Sequence, residues 1–217
     1  AGASDTIHFY GNTTAYGGFN GSGNFGIGTT SPNVPLEVHG ADITSSSNTT
    51  AQSVLRLVRD ITDPSYTSRK DSAVDFMLSR QQAVANNLPY TRLDIRLAGT
   101  TDSSTPSLDV MSLLYNGKVG IGTTSPVSKL HVYQNDAATS TTAGITIEQD
   151  GTGDAQLQFL LSSAYRWVQG IDNNDGDKFK IGRGNGWSIG ADITIDTSGN
   201  VGIGNVSPQK KLTIGSS

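Results

Sequence analysis

The chain has no cysteine, few charged residues and no long apolar run. Cysteine is absent from its 217 residues, so disulfides, thiolate zinc sites and cysteine nucleophiles are all excluded. No stretch of about 18 apolar residues occurs, so we expect no membrane insertion. Charged residues make up only 16% of the chain, against roughly 25% in ordinary soluble domains. We therefore expect a surface of Ser, Thr, Asn, Gln and Gly, which is typical of extracellular β-rich structures.

Basic clusters are also missing from the sequence. The formal net charge is −4 and the isoelectric point is 5.2, and the longest basic groups are the pairs at 69–70 and 210–211. A nucleic-acid interface needs a denser basic patch, so we expect no nucleic-acid partner. Without disulfides, an extracellular chain needs another source of stability, and burial of surface between chains is the obvious one.

Glycine is abundant, and much of it falls in a phrase that occurs three times. Gly accounts for 26 of the 217 residues, whereas about 7% is usual. The copies, at 24–32, 118–126 and 200–208, read Asn-Phe-Gly-Ile-Gly-Thr-Thr-Ser-Pro, Lys-Val-Gly-Ile-Gly-Thr-Thr-Ser-Pro and Asn-Val-Gly-Ile-Gly-Asn-Val-Ser-Pro. Each is followed by a strand-like triplet, at 36–38, 130–132 and 212–214. Such internal repeats indicate a modular architecture.

The glycines of the phrase alternate with apolar residues, which leaves one strand face without side chains. A bare face indicates that another backbone or a packed chain comes close. Proline then breaks the run, so the phrase predicts a strand, a corner and a second strand. A phosphate cradle is the weaker interpretation, because no helix follows the glycines. We assign packing and trimer assembly to Gly26, Gly28, Gly120, Gly122, Gly202, Gly204, Pro32, Pro126 and Pro208.

Apolar and mostly polar residues alternate over short runs throughout the chain, which is the signal of β-strands. Residues 72–84 are also compatible with a helix, although their alternation fits a strand equally well. We predict an almost all-β chain. The alternating runs are Leu55/Leu57, Val74/Phe76/Leu78, Leu93/Ile95/Leu97, Ile145/Ile147, Leu157/Phe159/Leu161 and Ile193/Ile195.

Two polar linkers, residues 45–50 and 136–143, divide the sequence into three parts. The predicted parts are an N-terminal strand segment, 1–44, that carries the first copy of the phrase, and two β modules, 51–135 and 143–217. The stretches before the second and third copies resemble each other, with residues 54–60 and 144–150 as the expected first strands. We therefore predict tandem copies of one β module.

These repeats resemble a known family. The phrase and its Lys-Leu-x-Val ending look like the repeat of phage tail-fibre and related viral or bacterial surface-fibre proteins. Phrases between residues 144 and 214 are also similar to the family, among them Arg-Trp at 166–167 and Asp-Thr-Ser-Gly-Asn at 196–200. The third copy departs, with Asn205-Val206 in place of Thr-Thr, and the first departs with Pro35 in place of Lys.

The resemblance implies a parallel homotrimer with interleaved β-strands, located on the virion surface or otherwise outside the cell. The implied partners are further copies of the chain, other fibre or virion proteins, and a glycan or protein of the host surface. Physical reasoning agrees, because thin β modules expose strand edges that must be covered, and glycine suits a crowded threefold axis.

Two alternatives stay open at this level. The first is a subunit of an extracellular filament assembled by strand exchange, in which residues 6–10 add a strand to a neighbour. The second is a glycan-cleaving tail spike with acidic residues along a groove, for which the chain is short.

Groups of residues with obvious chemistry are scarce, so we expect no enzyme activity, no cofactor and no metal. The three histidines, His8, His39 and His131, stand alone without metal-ligand spacing, and His131 is the best candidate for a ring around a threefold axis. Residues 172–177 superficially resemble a calcium loop, but the glycine falls at the fifth position and no glutamate closes the loop. An acidic turn between strands is the better interpretation.

Aromatic residues flank this acidic turn in sequence. Core packing is favoured for Trp167, whereas core packing and ligand binding are equally supported for Trp187. Aromatic rings beside amide and carboxylate groups suit contacts with sugars or proteins. Our hypothesis for a receptor contact is therefore Asp172, Asn174 and Asp175 together with Trp187.

Overall fold

The computed structural model describes residues 7–11, 14–40, 50–59, 72–80, 90–99, 106–135, 137, 144–162, 165–184, 187 and 190–214. These residues form three β-sheets, and no α-helix occurs among them, so the prediction of an all-β chain is confirmed. Most of both polar linkers lies outside the described residues. The chain divides into two compact units, 1–144 and 145–217.

The first unit holds sheets 1 and 2. Sheet 1 consists of β1 (Ile7–Gly11), β2 (Thr14–Phe19), β3 (Phe25–Ile27) and β4 (Leu36–Val38). Sheet 2 consists of β5 (Gln52–Arg59), β6 (Ser72–Arg80), β7 (Thr91–Leu97), β8 (Leu108–Leu114), β9 (Val119–Ile121) and β10 (Leu130–Val132).

The second unit holds sheet 3, which repeats the design of sheet 2. It consists of β11 (Ala155–Leu161), β12 (Tyr165–Asp172), β13 (Lys178–Arg183), β14 (Ala191–Ile195), β15 (Val201–Ile203) and β16 (Leu212–Ile214). In all three sheets the strands lie side by side in chain order. Neighbouring strands are antiparallel except for the last pair of each sheet, which is parallel.

The repeated phrase forms this parallel pair through an unusually short crossover. Residues 122–129 alone connect β9 to β10, whereas parallel strands usually need a dozen or more residues between them. The second glycine of each phrase adopts a positive φ, at Gly28 (76°), Gly122 (71°) and Gly204 (65°). Because glycine alone enters this region without strain, the chain turns back sharply as soon as the strand ends.

The same hydrogen bonds hold each crossover. The residue before the final strand accepts a bond from the first residue of the partner strand, as in Val119 N to Lys129 O at 2.8 Å. Thr29 Oγ1 and Thr123 Oγ1 each accept from the backbone N–H two residues later, and Asn205 Oδ1 does the same at 2.9 Å. The change from Thr to Asn in the third copy therefore preserves the turn.

The first copy replaces its missing lysine with other donors. Lys129 Nζ donates to Asn116 O and Lys211 Nζ donates to Ser198 O, which ties each crossover to the hairpin before it. Proline at position 35 has no such group. Instead, the Nδ2 amides of Asn20 and Asn24 donate to Pro32 O at 2.8 and 3.3 Å.

The correspondence between the two modules is shifted by one strand from the sequence-based prediction. Residues 144–150 belong to no strand, so β11 rather than this segment corresponds to β5. The strand β13 was not predicted, because lysines occupy its alternate positions and mask the apolar residues. With β13 included, sheets 2 and 3 share one strand order.

Candidate functional site

Sheet 2 has one face that is apolar across all six strands. Side chains directly opposite on paired strands lie on the same face, and the register pairs Leu55 with Phe76, Phe76 with Ile95, Ile95 with Met111 and Met111 with Ile121. Parallel rows run above and below this one. The apolar face of sheet 2 comprises Leu55, Leu57, Val74, Phe76, Leu78, Leu93, Ile95, Leu97, Leu108, Met111, Leu113, Val119, Ile121, Leu130 and Val132.

The opposite face of sheet 2 carries ion pairs that satisfy one another. Arg56 donates to both carboxylate oxygens of Asp75 at 2.6 Å, and Arg96 forms a second ion pair with Asp109. Asp94 accepts hydrogen bonds from Arg92 at 2.9 Å and from the Ser112 hydroxyl at 2.6 Å. Sequence analysis did not single out these pairs, although opposite charges at alternate strand positions were a usable signal.

In sheet 2 the charged face is buried and the apolar face is exposed, the reverse of the usual arrangement. The carboxylate-bearing Asp75 and Asp94 are 2% and 0% exposed, whereas Leu57 and Leu130 on the apolar face are 54% and 58% exposed. Every substantial contact between the described strands joins neighbours of one sheet, so no second layer of described strands covers the apolar face. A sheet normally buries its apolar face against another layer.

Sheet 3 has the same arrangement. Its register places Ala155, Ile171, Phe179, Ile195 and Val201 in one continuous row. The apolar face of sheet 3 comprises Ala155, Leu157, Phe159, Leu161, Tyr165, Trp167, Ile171, Phe179, Ile181, Ile193, Ile195, Val201, Ile203 and Leu212, interrupted by Gln169 and Arg183. In sheet 1 the rings of Phe19 and Phe25, which lie opposite each other on β2 and β3, have their centres 4.8 Å apart and are tilted by 32°.

Trp167 does not lie in a core formed by the chain itself. It is half-exposed on the apolar face of sheet 3, opposite Phe159 and Arg183. The Arg183 guanidinium lies 6.0 Å from the centre of its ring. The sequence-based preference for core packing therefore fails within the single chain, because alternation alone does not tell which face of a strand is covered.

The bare face of each repeated phrase is occupied by the chain's own crossover. A Cβ added at Gly26, Gly120 or Gly202 would collide with the carbonyl oxygen three residues later, that of Thr29, Thr123 or Asn205. The prolines that follow, Pro32, Pro126 and Pro208, are all buried. The backbone that approaches these glycines in the structure is thus local, and a role at a threefold axis stays a prediction.

The acidic turn lies between β12 and β13, and lysines of β13 neutralise its carboxylates. Asp172 caps a 3-10 turn, Asn173–Asp175, by accepting from Asn174 N at 3.1 Å. Lys180, which is buried, donates to Asp172 at 2.7 Å and to Asp175, and Lys178 donates to Asp175 at 2.8 Å. The bonds from Lys178 and Lys180 lower the pKa of Asp175. Burial opposes the charge of Lys180, yet its two carboxylate partners raise its pKa overall.

Trp187 does not join the acidic turn. It packs over Gly182 near the far end of β13, with its Cδ1 3.0 Å from where a glycine Cβ would stand. Gly182 lies four residues from Lys178, roughly 13 Å along a strand. The structure therefore brings Asp172, Asn174 and Asp175 together but separates them from Trp187, whose buried Nε1 has no hydrogen-bond partner among the described residues.

A comparison with models of known protein families finds no match, and a comparison with curated proteins finds none either.

The histidines and acidic residues form no metal-binding cluster in the described ranges. No group of three or more His, Cys, Asp or Glu residues there is placed to hold a metal ion. His39 bonds Glu37 at 2.6 Å on the surface. His131 lies opposite Gly120, on the side of sheet 2 that carries the ion pairs. No helix among the described residues is long and apolar enough to cross a membrane.

Replacing both carboxylates of the acidic turn is expected to destabilise the protein. The double change Asp172→Ala/Asp175→Ala leaves the buried Lys180 ammonium unpaired, and breaking a buried ion pair in this way costs about 3–5 kcal/mol. Thermal or urea unfolding measures the loss. Asn174→Ala is the matched control, because Asn174 is exposed and its side chain bonds no described residue. Equal melting of the two variants would show that Lys180 does not depend on these partners.

The Arg56–Asp75 pair is expected to make stability sensitive to acid. Hydrogen bonding from Arg56 lowers the pKa of Asp75, and this effect exceeds the opposing effect of burial. A carboxyl with a lowered folded-state pKa stabilises the fold above its unfolded pKa, about 3.9, and this contribution disappears as the pH falls through the folded value. Asp75→Asn should therefore melt below the parent at pH 7, with the gap shrinking below about pH 4.

Other carboxylates with lowered pKa values, Glu37, Asp175 and Asp196, are present in both the parent and Asp75→Asn. Their titration cancels in the difference between the two melting temperatures. A gap of the same size at pH 7 and at pH 3 would rule out the ion pair as its source.

Proposed function

We propose that this chain is a structural and adhesion segment of a homotrimeric surface fibre of the phage tail-fibre kind, located on the outside of a virion. One observation carries the proposal. Sheets 2 and 3 each leave an apolar face uncovered by described strands, whereas carboxylates of the opposite face, such as Asp75 and Asp172, are buried and paired with arginine or lysine. This is the reverse of what an isolated sheet in water requires.

The free energy that would be gained by covering these apolar faces supports their burial between chains. Full burial of one Val, Leu, Ile or Phe side chain stabilises a fold by about 1.5–3 kcal/mol. With about a dozen such side chains half-exposed on each face, the stabilisation left unrealised is on the order of 10 kcal/mol. That is as large as the whole stability of a typical domain. An interface between copies recovers it.

Three copies satisfy both faces of every sheet at once. If each copy contributes one sheet as a wall, three walls enclose the apolar faces as a triangular prism, and the ion-paired faces look outward to water. The number three comes from the resemblance of the repeated phrase to surface-fibre proteins. Sheets 2 and 3 each have such a face, so the same kind of interface between copies can form in both units.

Adhesion is assigned to turns that such a shaft holds outward, because binding residues are commonly placed on loops of a rigid scaffold. The turn at Asn173–Asp175 is the best described of these. Within it, Asn174 has the free hydrogen-bonding side chain, since Asp172 and Asp175 are engaged by lysines. A hydroxylated ligand such as a host surface glycan suits an amide of this kind.

The test of the proposal is the mass of the native assembly in solution. Sedimentation equilibrium or light scattering should give three times the 22.7 kDa of one chain, and the melting temperature should rise with chain concentration, as it does when association stabilises the fold. A mass of one or two chains contradicts the trimer. A mass that grows without limit as concentration rises favours the filament assembled by strand exchange instead.

A further inference from the structure

One segment of the second unit has the pattern of a strand but no strand partner. Residues 145–150 read Ile-Thr-Ile-Glu-Gln-Asp and belong to no strand or helix, with Ile145 68% and Ile147 48% exposed. An alternating run of this kind is normally paired with a neighbouring strand. Two exposed isoleucines at alternate positions of an unpaired segment indicate that another strand pairs with its backbone and that another apolar layer covers its side chains.

The backbone of this segment is held at its ends and open between them. Gly144 N donates to Gln134 Oε1 at 2.8 Å, and Gly151 N donates to Gln149 Oε1 at 3.0 Å. Between these anchors, residues 145–150 form no backbone hydrogen bond with any part of the chain that the structure describes. Backbone amides and carbonyls without such partners are available to the edge of a sheet.

Sheet 3 has an open edge of matching length. The strand β11 pairs with β12 on one side, and no described strand lies on its other side. Its side chains Leu157 and Phe159 are half-exposed and continue the apolar face of sheet 3 to this edge. A strand added here with Ile145 and Ile147 on the same side would extend the apolar face by one strand.

The connection between the segment and β11 points the segment away from this edge. Asp154 Oδ1 accepts from Asn173 N at 3.0 Å, and Gly151 O accepts from Asn173 Nδ2 at 3.4 Å. Asn173 follows β12, so these bonds tie residues 151–154 to the side of β11 opposite its open edge. Thr146 and Ile147 accordingly lie beside Ala155 and Ile171, where they line a depression of about 300 Å³.

We propose that residues 145–150 of one copy pair with the open edge of β11 of a second copy of this chain. The inference rests on the proposed trimer and names the contact that interleaves it. One chain carries both the unpaired strand and the unpaired edge, so each copy receives the strand of one neighbour and gives its own to the next. Such a head-to-tail contact closes into a ring when the rotation between copies allows it.

The alternation fixes which face of the added strand meets the apolar face, and the proposed register pairs Ile145 and Ile147 directly with Leu157 and Phe159. This register puts Thr146 opposite Gln158, whether the added strand runs parallel or antiparallel to β11. Both residues are exposed in the single chain. Opposite residues on paired strands have Cα atoms about 4.5–5.5 Å apart, which is within the range that a disulfide spans.

The absence of cysteine makes engineered disulfides a clean test. Two singly substituted chains, Thr146→Cys and Gln158→Cys, carry different tags and are co-expressed, then oxidised and separated on a non-reducing gel. A disulfide joining the two tags forms only between copies. Chains that mix at random in equal amounts form mixed trimers in about three of four cases, and each mixed ring holds one such bond. We therefore expect about half of the chains to migrate as the linked pair, at a native mass of three chains. Thr146→Cys with Ser198→Cys, in the exposed turn before β15, is the matched control and should stay unlinked.

The doubly substituted chain, Thr146→Cys/Gln158→Cys, separates the remaining outcomes. Covalent trimers support the proposal together with the closed fibre, and an unlimited ladder supports strand donation but contradicts the trimer. Blocked thiols at the mass of one chain on the gel show pairing within the chain and overturn the proposal. Free thiols in an assembly of three chains also overturn it, while leaving the proposed trimer intact.

Discussion

Leu55→Asp is expected to break the assembly into single chains or to abolish soluble protein, whereas Val58→Asp is expected to leave the native mass unchanged. The two residues belong to the same strand, β5, and their exposures in the single chain are nearly equal, 47% and 48%. They differ in the face they occupy. Leu55 lies opposite Phe76 on the apolar face of sheet 2, and Val58 lies opposite Ala73 on the other face.

The expected difference comes from what covers each face. If the apolar faces meet between copies, Leu55→Asp loses about 1.5–3 kcal/mol of apolar burial in each chain and places a carboxylate without a partner in a dry interface. Such a group costs several kcal/mol more, and the trimer repeats the loss three times. Val58→Asp puts its carboxylate in water. Sedimentation at equal chain concentration measures the result, and identical masses for the two variants would refute an interface on the apolar face.

Gly122→Ala is expected to cost more than about 4 kcal/mol of unfolding free energy, a loss that is exceptional for one substitution. Gly122 has a φ of +71°, and its added Cβ would lie well inside van der Waals contact with the carbonyl oxygen of Tyr133. A backbone atom of the parallel partner strand has little freedom to move aside. The crossover would have to open, and with it the pairing of β9 with β10.

Gly117→Ala is the matched control for backbone strain. Gly117 has nearly the same φ, +74°, but its Cβ would meet the mobile tip of Lys129 at 3.1 Å. Strain alone should cost about 1–2 kcal/mol. Gly120→Ala isolates the collision, because Gly120 lacks a positive φ yet its Cβ would strike Thr123 O. Denaturant unfolding of the three variants at one chain concentration tests the ranking, which fails if Gly122→Ala is as mild as Gly117→Ala.

The repeated phrase was the most informative part of the sequence, and its local meaning was predictable. Alternating glycines followed by Ser-Pro predicted a strand, a corner and a strand, and the structure has β9, a sharp turn at Gly122 and β10. The parallel pairing of these strands was not predicted. It depends on the carbonyl of Thr123 folding back over Gly120, which composition does not reveal.

The acidic turn shows where residue types mislead. Three polar residues close in sequence, Asp172, Asn174 and Asp175, suggested a free binding site, yet Lys178 and Lys180 on β13 pair with both carboxylates. Lys178 and Lys180 are also the reason that β13 was not predicted. Lysines at alternate positions are typical of an exposed loop, and only their contacts with Asp172 and Asp175 show that they belong to a strand. Trp187 is close in sequence but reaches the opposite end of that strand, because a strand carries the chain roughly 3.3 Å per residue.

Residues 145–150 show that strand pattern and strand pairing are separate matters. Their alternation is as regular as that of β11, but the bonds of Asn173 to the connecting turn direct the segment away from the nearest edge. A segment becomes a strand only when a neighbouring strand accepts and donates its backbone hydrogen bonds. Contacts between residues distant in sequence decide which neighbour that is.

The sequence by itself determined the all-β class, the strand–corner–strand course of the three repeated phrases and the two-residue periodicity of nearly every strand, because these follow from glycine freedom, proline geometry and side-chain alternation over a few residues. Only the tertiary structure decided which side of sheets 2 and 3 carries buried ion pairs and which side is apolar and uncovered by described strands. Alternation shows that every strand has two different faces, but it does not show which face is buried. That difference depends on ion pairs such as Arg56–Asp75 and Arg96–Asp109, which form only when the register brings these residues opposite one another on neighbouring strands.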